Sequence, residues 1–68
     1  MIEVGQVYYD NSEDLFIKID QIDEDMVYFY ALDEEINKYA GVLSFKISSF
    51  EYCVESGNLI LQNNENKQ

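Results

Sequence analysis

Met26-Val27-Tyr28-Phe29-Tyr30-Ala31-Leu32 is the most apolar run in the chain, and β-branched and aromatic residues dominate it as they dominate strands. Successive side chains of a strand point to opposite faces. Val27, Phe29 and Ala31 therefore share one face and Met26, Tyr28, Tyr30 and Leu32 the other. Neither face is plainly polar, so one is read as core and the other as partly covered or used for contact.

The segments on either side fit themselves to this strand. Leu15-Phe16-Ile17-Lys18-Ile19-Asp20 alternates, with Leu15, Ile17 and Ile19 on one side, while Ile22 falls one residue out of phase. A β-bulge near Asp20 or Gln21 returns Ile22 to the core face. Asp23-Glu24-Asp25 then turns tightly into the central run, without the glycine that a two-residue turn prefers. Upstream, Val4, Val7, Tyr8 and Tyr9 around Gly5 read as a short first strand, and Asp10-Asn11-Ser12-Glu13-Asp14 as a loop.

Downstream, Asp33-Glu34-Glu35-Ile36-Asn37-Lys38-Tyr39 is a polar connection in which Ile36 and Tyr39 either form one helical turn or lie over the mouth of a barrel. Ala40 to Lys46 alternates again, with Leu43 and Phe45 on one face and Val42, Ser44 and Lys46 on the other. Ser48-Ser49-Phe50-Glu51 matches a capping box, with Ile47 and Tyr52 placed as a hydrophobic staple. About two helical turns then fit before Gly57, with Phe50, Cys53 and Val54 facing inward. Leu59-Ile60-Leu61 is a last strand, and Gln62 to Gln68 has nothing to bury and is expected to be disordered.

The expected fold is thus mostly β: a small, strongly bent antiparallel barrel of four to five strands with one short C-terminal helix, since closure removes exposed sheet edges. Residues 1–61 form its single domain and 62–68 its tail. A two-layer α+β arrangement is the alternative. With 68 residues, folding hides only about 60% of the surface of the unfolded chain. The core is small, and four Phe and six Tyr must supply much of it.

The formal charge is −10, from fourteen carboxylates against four lysines, with no arginine or histidine. Neutralising phosphates is what gives proteins non-specific affinity for nucleic acid, and Lys18, Lys38, Lys46 and Lys67 are scattered. Direct nucleic-acid binding and anionic membranes are disfavoured, and a basic partner is attracted at long range. Cys53 is alone, which excludes an internal disulfide and points to a reducing compartment. No signal-like segment and no run near the ~20 apolar residues of a membrane span is present, so a soluble cytoplasmic protein is expected.

Three stretches carry a resemblance. Val4-Gly5-Gln6-Val7-Tyr8-Tyr9-Asp10, Ile22-Asp23-Glu24-Asp25-Met26-Val27-Tyr28-Phe29, and Ser49-Phe50-Glu51 leading to Val54-Glu55-Ser56-Gly57-Asn58-Leu59 resemble the small barrel proteins of Gram-positive phages and integrative elements. These are similar to Src-homology-3 or Tudor barrels with a short closing helix. The resemblance covers most of residues 4–61 and implies a fold and a mobile-element origin rather than an activity. The chain departs from the pattern in lacking a glycine at Asp23-Glu24-Asp25 and any arginine.

Catalytic chemistry finds little support. A nucleophilic Cys53 lacks a histidine partner, and free cysteine on an inward helix face is usually a small buried hydrophobe. Asp20, Asp23 and Asp25 alternate like cation ligands, but a calcium loop's central glycine and terminal bidentate glutamate are missing. No enzyme activity, cofactor or metal is therefore expected. Tyr28 and Tyr30, with Tyr8 or Tyr9 from a neighbouring strand, outline an aromatic cage for a cationic ligand. Glu13-Asp14, Asp20 to Asp25 and Asp33 to Glu35 are acidic clusters which, gathered on one side, would imitate nucleic acid and inhibit a host protein.

The expectation that results is a non-enzymatic acidic module binding a basic surface of a host protein. Tyr28 and Tyr30 serve as anchors and Asp23, Glu24, Asp25, Asp33, Glu34 and Glu35 as the charged surround. A self-associating structural component of a phage particle and a reader of a cationic ligand are the alternatives. Oligomeric state is left open.

Overall fold

The computed structural model describes residues 2–62. Its elements are β1 (Val7–Asp10), β2 (Leu15–Asp23), β3 (Met26–Ala31), α1 (Glu34–Ala40), β4 (Val42–Lys46), α2 (Ile47–Glu55) and β5 (Leu59–Leu61). The strands form one antiparallel sheet in the order β4-β3-β2-β1-β5. The most apolar run, β3, sits inside the sheet between β2 and β4, where its backbone is paired on both sides.

The bulge lies where the phase of the apolar residues demands it. Ile19 faces Phe29 and Gln21 faces Tyr28, so Asp20 is the extra residue, and Ile22 packs against the core as Ile17 and Ile19 do. The hairpin from β2 to β3 has Glu24 and Asp25 between the facing pair Asp23 and Met26. Glu24 occupies the left-handed region at φ 57°, which glycine adopts without steric cost.

The core lies on one face of the sheet. Tyr8, Ile17, Ile19, Val27, Phe29 and Leu59 close around Phe50, the one fully buried residue of α2. Phe50 meets the rings of Tyr8 at 5.2 Å and Phe29 at 5.5 Å edge to face, an arrangement that the ring quadrupoles favour. Cys53 and Val54 pack against the same cluster half-buried, so the thiol is less enclosed than its helical position implies. The helix ends in a Schellman motif: the Asn58 N–H donates to the Cys53 carbonyl at 3.0 Å and the Gly57 N–H to Val54 at 3.2 Å, with Gly57 at φ 88°.

Four expectations require correction. The sheet is open, with β4 and β5 as its two edges, so a closed barrel is not what the strand pairing describes. The described residues form two helices rather than one: Asp33 caps α1, its carboxylate accepting from the N–H groups of Glu35 at 3.0 Å and Ile36 at 3.3 Å. Glu34 and Glu35 add favourable negative charge to that first turn. The capping box is not formed, because α2 starts at Ile47 with Lys46 as its cap and no side-chain cap bond. The Ile47 N–H still donates to Asp25 at 2.8 Å, so the chain passes from the β3–β4 ladder straight into the helix and overrides the local serine signal. Finally, the tail does not begin at Gln62, whose N–H donates to Val7 at 2.8 Å; residues 63–68 lie outside the described residues.

Candidate binding surface

The face of the sheet opposite Phe50 carries the residues singled out in the central run. Cross-strand register places Val7, Lys18, Tyr30 and Val42 in one row, Gln21, Tyr28 and Ser44 in the next, and Asp23, Met26 and Lys46 in a third. On the other side of the Tyr30 row stand Ile60, Tyr9 and Phe16. The Tyr9 and Phe16 rings meet at 5.2 Å. Neither helix buries a residue here: α2 inserts Phe50 on the opposite side, and Ile36 and Ala40 of α1 line a cleft on that same side. Among the described residues the face is therefore uncovered, with Phe16, Val42 and Ile60 exposed and Tyr28 and Tyr30 half-buried.

The acidic residues flank this platform rather than share it. Asp23, Glu24 and Asp25 sit at the hairpin where β3 begins. Asp33, Glu34 and Glu35 open α1 beyond its other end. The six residues of β3 separate the two groups by about 20 Å, given a rise of ~3.3 Å per residue. Glu13 and Asp14 join the second group, because the turn between β1 and β2 lies at the end of the sheet where Ile17 faces Ala31. Lys18 stands between the two acidic ends, and Lys46 lies in the row of Asp23 at the hairpin end.

No tyrosine cage forms. Tyr8 faces the core at 3% exposure, and its hydroxyl donates to Gln6 Oε1 at 2.9 Å. Burial first, and the nearby Glu3 carboxylate second, push its phenol above the usual tyrosine range. Tyr9 does share the face of Tyr28 and Tyr30, but β2 lies between them, a gap of about 10 Å at ~4.8 Å per strand. Its hydroxyl donates to Asp14, and that bond, followed by desolvation and by the charges of Asp14 and Asp10, raises its phenol as well.

A second concavity went unforeseen in the sequence. On the core face, at the end of the sheet carrying Asp10 to Asp14, lies an apolar cleft of about 430 Å³. Its walls include Leu15, Ile17, Phe29, Ala31, Leu43 and Leu59, and Cys53 borders it from α2. Asp10, Ser12, Glu13 and Asn58 form its polar rim. The cleft follows from element lengths. Nine residues of α2 extend only about 13 Å, whereas nine residues of β2 run about 30 Å, so one helix cannot roof the whole apolar face. That mismatch was the available signal. Comparison of the chain with protein-family models, with curated proteins and with solved structures gives no match.

Proposed function

We propose that this protein is a non-enzymatic interaction module that binds a basic surface of another protein through the outer face of its sheet. The observation that carries the reading is an uncovered platform of Tyr28, Tyr30 and Phe16 set between two acidic ends. Tyrosine gives contact area at small entropic cost and is enriched among residues that dominate binding energy. The carboxylates of Asp23, Glu24 and Asp25 at one end and Asp33, Glu34 and Glu35 at the other act at longer range, steering the encounter more than holding the complex.

Two finer readings belong with this one. The strand order, with α2 spanning from one edge strand to the other, supports a sheet bent toward the Src-homology-3 kind of barrel and left open at the β4–β5 seam. An inhibitor imitating nucleic acid would need carboxylates in unbroken rows, and Lys18 and Lys46 interrupt them. Recognition of a protein surface fits this mixed pattern better. With the mobile-element origin that the resemblance implies, the partner proposed is a host protein in the cytoplasm.

The test is to recover a partner on the immobilised protein, purify it, and follow the Kd of the pair between 50 and 300 mM NaCl. Affinity falls as salt rises, and reversing Asp33, Glu34 and Glu35 to lysine lowers the association rate at least tenfold at low salt. A Kd indifferent to salt, or an unchanged association rate, rejects the reading.

A further inference from the structure

The free edge of β4 and the apolar cleft beside it form a construction that the outer face does not use. The bond from the Ile47 N–H to Asp25 sets the phase of the β3–β4 ladder. Since hydrogen-bonded and non-bonded pairs alternate in an antiparallel ladder, Phe45 with Val27 and Leu43 with Phe29 exchange bonds inward. Val42, Ser44 and Lys46 then turn their N–H and C=O groups outward, where the sheet has no further strand. Natural edge strands are usually guarded by proline, bulges or charges. Over its five exposed residues β4 has none of these except Lys46 at its end.

The side chains that β4 directs to the core face are incompletely covered as well. Leu43 is 45% and Phe45 40% exposed, and both line the cleft. We propose that this edge and cleft are a second docking site, which takes an extended segment of a partner polypeptide as an added strand, apolar at alternate positions and bearing lysine or arginine between them. An added strand places every second side chain on the cleft side. A cavity of about 150 Å³ holds one benzene ring, so the 430 Å³ cleft has room for two or three apolar side chains.

Charge fixes the rest of the occupant. The charged residues lining the cleft are Asp10 and Glu13, with no lysine among them. Asp10 is already engaged, its carboxylate accepting from the Ser12 N–H and hydroxyl, the Glu13 N–H and Asn58 Nδ2. An alternating strand turns its basic side chains to the outer-face side of β4, away from these two carboxylates, so those side chains answer the formal charge of −10 at long range. A second copy of this chain would bring its own formal charge of −10 to the same edge, and like charge opposes that encounter. The inference rests on the reading of the protein as a binder of basic polypeptides, but it assigns a different surface and a definite backbone conformation.

The probe is a blocked heptapeptide, Lys-Leu-Lys-Phe-Lys-Leu-Lys, with its glutamate-for-lysine counterpart, titrated into the isotope-labelled full chain and followed by NMR. The expected result is shifts at Val42 to Lys46 and at Cys53, with slowed amide exchange at Val42, Ser44 and Lys46. The Kd rises at least tenfold from 50 to 300 mM NaCl. Ser44→Pro removes an outward N–H that the ladder does not use, a position where sheets tolerate proline, and weakens binding at least tenfold. Should that variant not fold, Leu43→Ser serves instead: at 45% exposure it removes an apolar wall of the cleft and weakens the lysine peptide at least tenfold. Shifts confined to Tyr28, Tyr30 and Phe16 overturn the edge site and leave the outer-face reading standing. Absence of binding by either peptide, or equal binding by both, overturns the proposal. So does self-association through β4 that strengthens with salt, which makes a second copy the occupant.

Discussion

Replacing Phe50 by alanine is the most demanding test of how α2 holds the sheet. The ring is 0% exposed and touches Tyr8, Phe29 and Phe45 at centroid distances of 5.2, 5.5 and 6.4 Å. Truncation of a buried Phe costs about 3–5 kcal/mol, and the three edge-to-face contacts put this site at the upper end. A chain of 68 residues has a total stability of about 3–10 kcal/mol at ~0.05–0.15 kcal/mol per residue. Phe50→Ala therefore removes between about half and all of the stability at 25 °C. Urea denaturation followed by far-UV circular dichroism measures this directly. Phe50→Leu, losing only part of the ring, keeps a folded baseline and lowers Tm by at least ~5 °C, since each kcal/mol is worth about 4–8 °C in a domain of this size. Tyr52→Ala is the control on the same helix: at 71% exposure it changes stability by no more than about 0.5 kcal/mol. If Phe50→Ala lost under about 1 kcal/mol, or if the two alanine variants behaved alike, the core described above would be wrong.

Three further outcomes follow from particular residues. Glu24→Gly relieves the left-handed conformation at φ 57°, worth about 1–2 kcal/mol for an L-residue, against about 0.5–1 kcal/mol of added chain entropy. The midpoint in urea rises, and a fall would show that the glutamate side chain has a role in the hairpin. Asn37 holds a buried Oδ1 without a hydrogen-bond partner, a defect of about 1–3 kcal/mol, so Asn37→Ala on α1 gains about 1 kcal/mol by the same measurement after the loss of amide packing. Tyr8 gives the pH dependence. Burial foremost, and Glu3 second, hold its folded phenol above the ordinary value of 10.0. The unfolded chain therefore loses its proton first, so the contribution of Tyr8 is intact below about pH 10 and is lost as pH rises through the folded value. Tm measured from pH 8 to 11.5 declines above pH 10, and Tyr8→Phe flattens that decline while forfeiting the bond to Gln6 at neutral pH.

Much of the fold was legible because period and phase are local properties. The one-residue slip of Ile22 placed a bulge near Asp20 or Gln21, and it falls at Asp20; alternation put Val27, Phe29 and Ala31 on one face, which is the buried one. Helical spacing turned Phe50, Cys53 and Val54 inward, and Gly57 ended the helix. α1 had a readable signal in Asp33 before Glu34 and Glu35, with Gly41 after Ala40, but its short apolar content concealed it. The start of α2 was misread for a physical reason: the ladder reaches the Ile47 N–H, and no cap chemistry four residues away outweighs that pairing. Closure of the sheet depends on bend and helix length summed over all strands, which no single segment encodes.

The surface divides in the same way. Alternation put Tyr28 and Tyr30 on one face without deciding which face is the core, and the register places them on the outer one in adjacent rows. Separation of the acids into two ends was implicit in the hairpin order, since Asp23 to Asp25 enters β3 and Asp33 to Glu35 leaves it. The cage with Tyr8 or Tyr9 failed because strand order, not sequence distance, decides which rings meet. The cleft was invisible to pattern because each of its apolar residues has an ordinary role on the core face, and only comparing α2 with β2 exposes the part left unroofed.

The uncovered outer face is the proposed seat of the basic partner. Hydrogen exchange and tyrosine-ring NMR of the purified pair test it most directly, comparing free and bound protein residue by residue. Perturbation is expected at Tyr28, Tyr30 and Phe16, with a loss of at least about 30-fold in affinity for Tyr28→Ala combined with Tyr30→Ala, as for two anchor residues. A bound state that leaves those rings unchanged, with the double variant binding as the parent does, would contradict it.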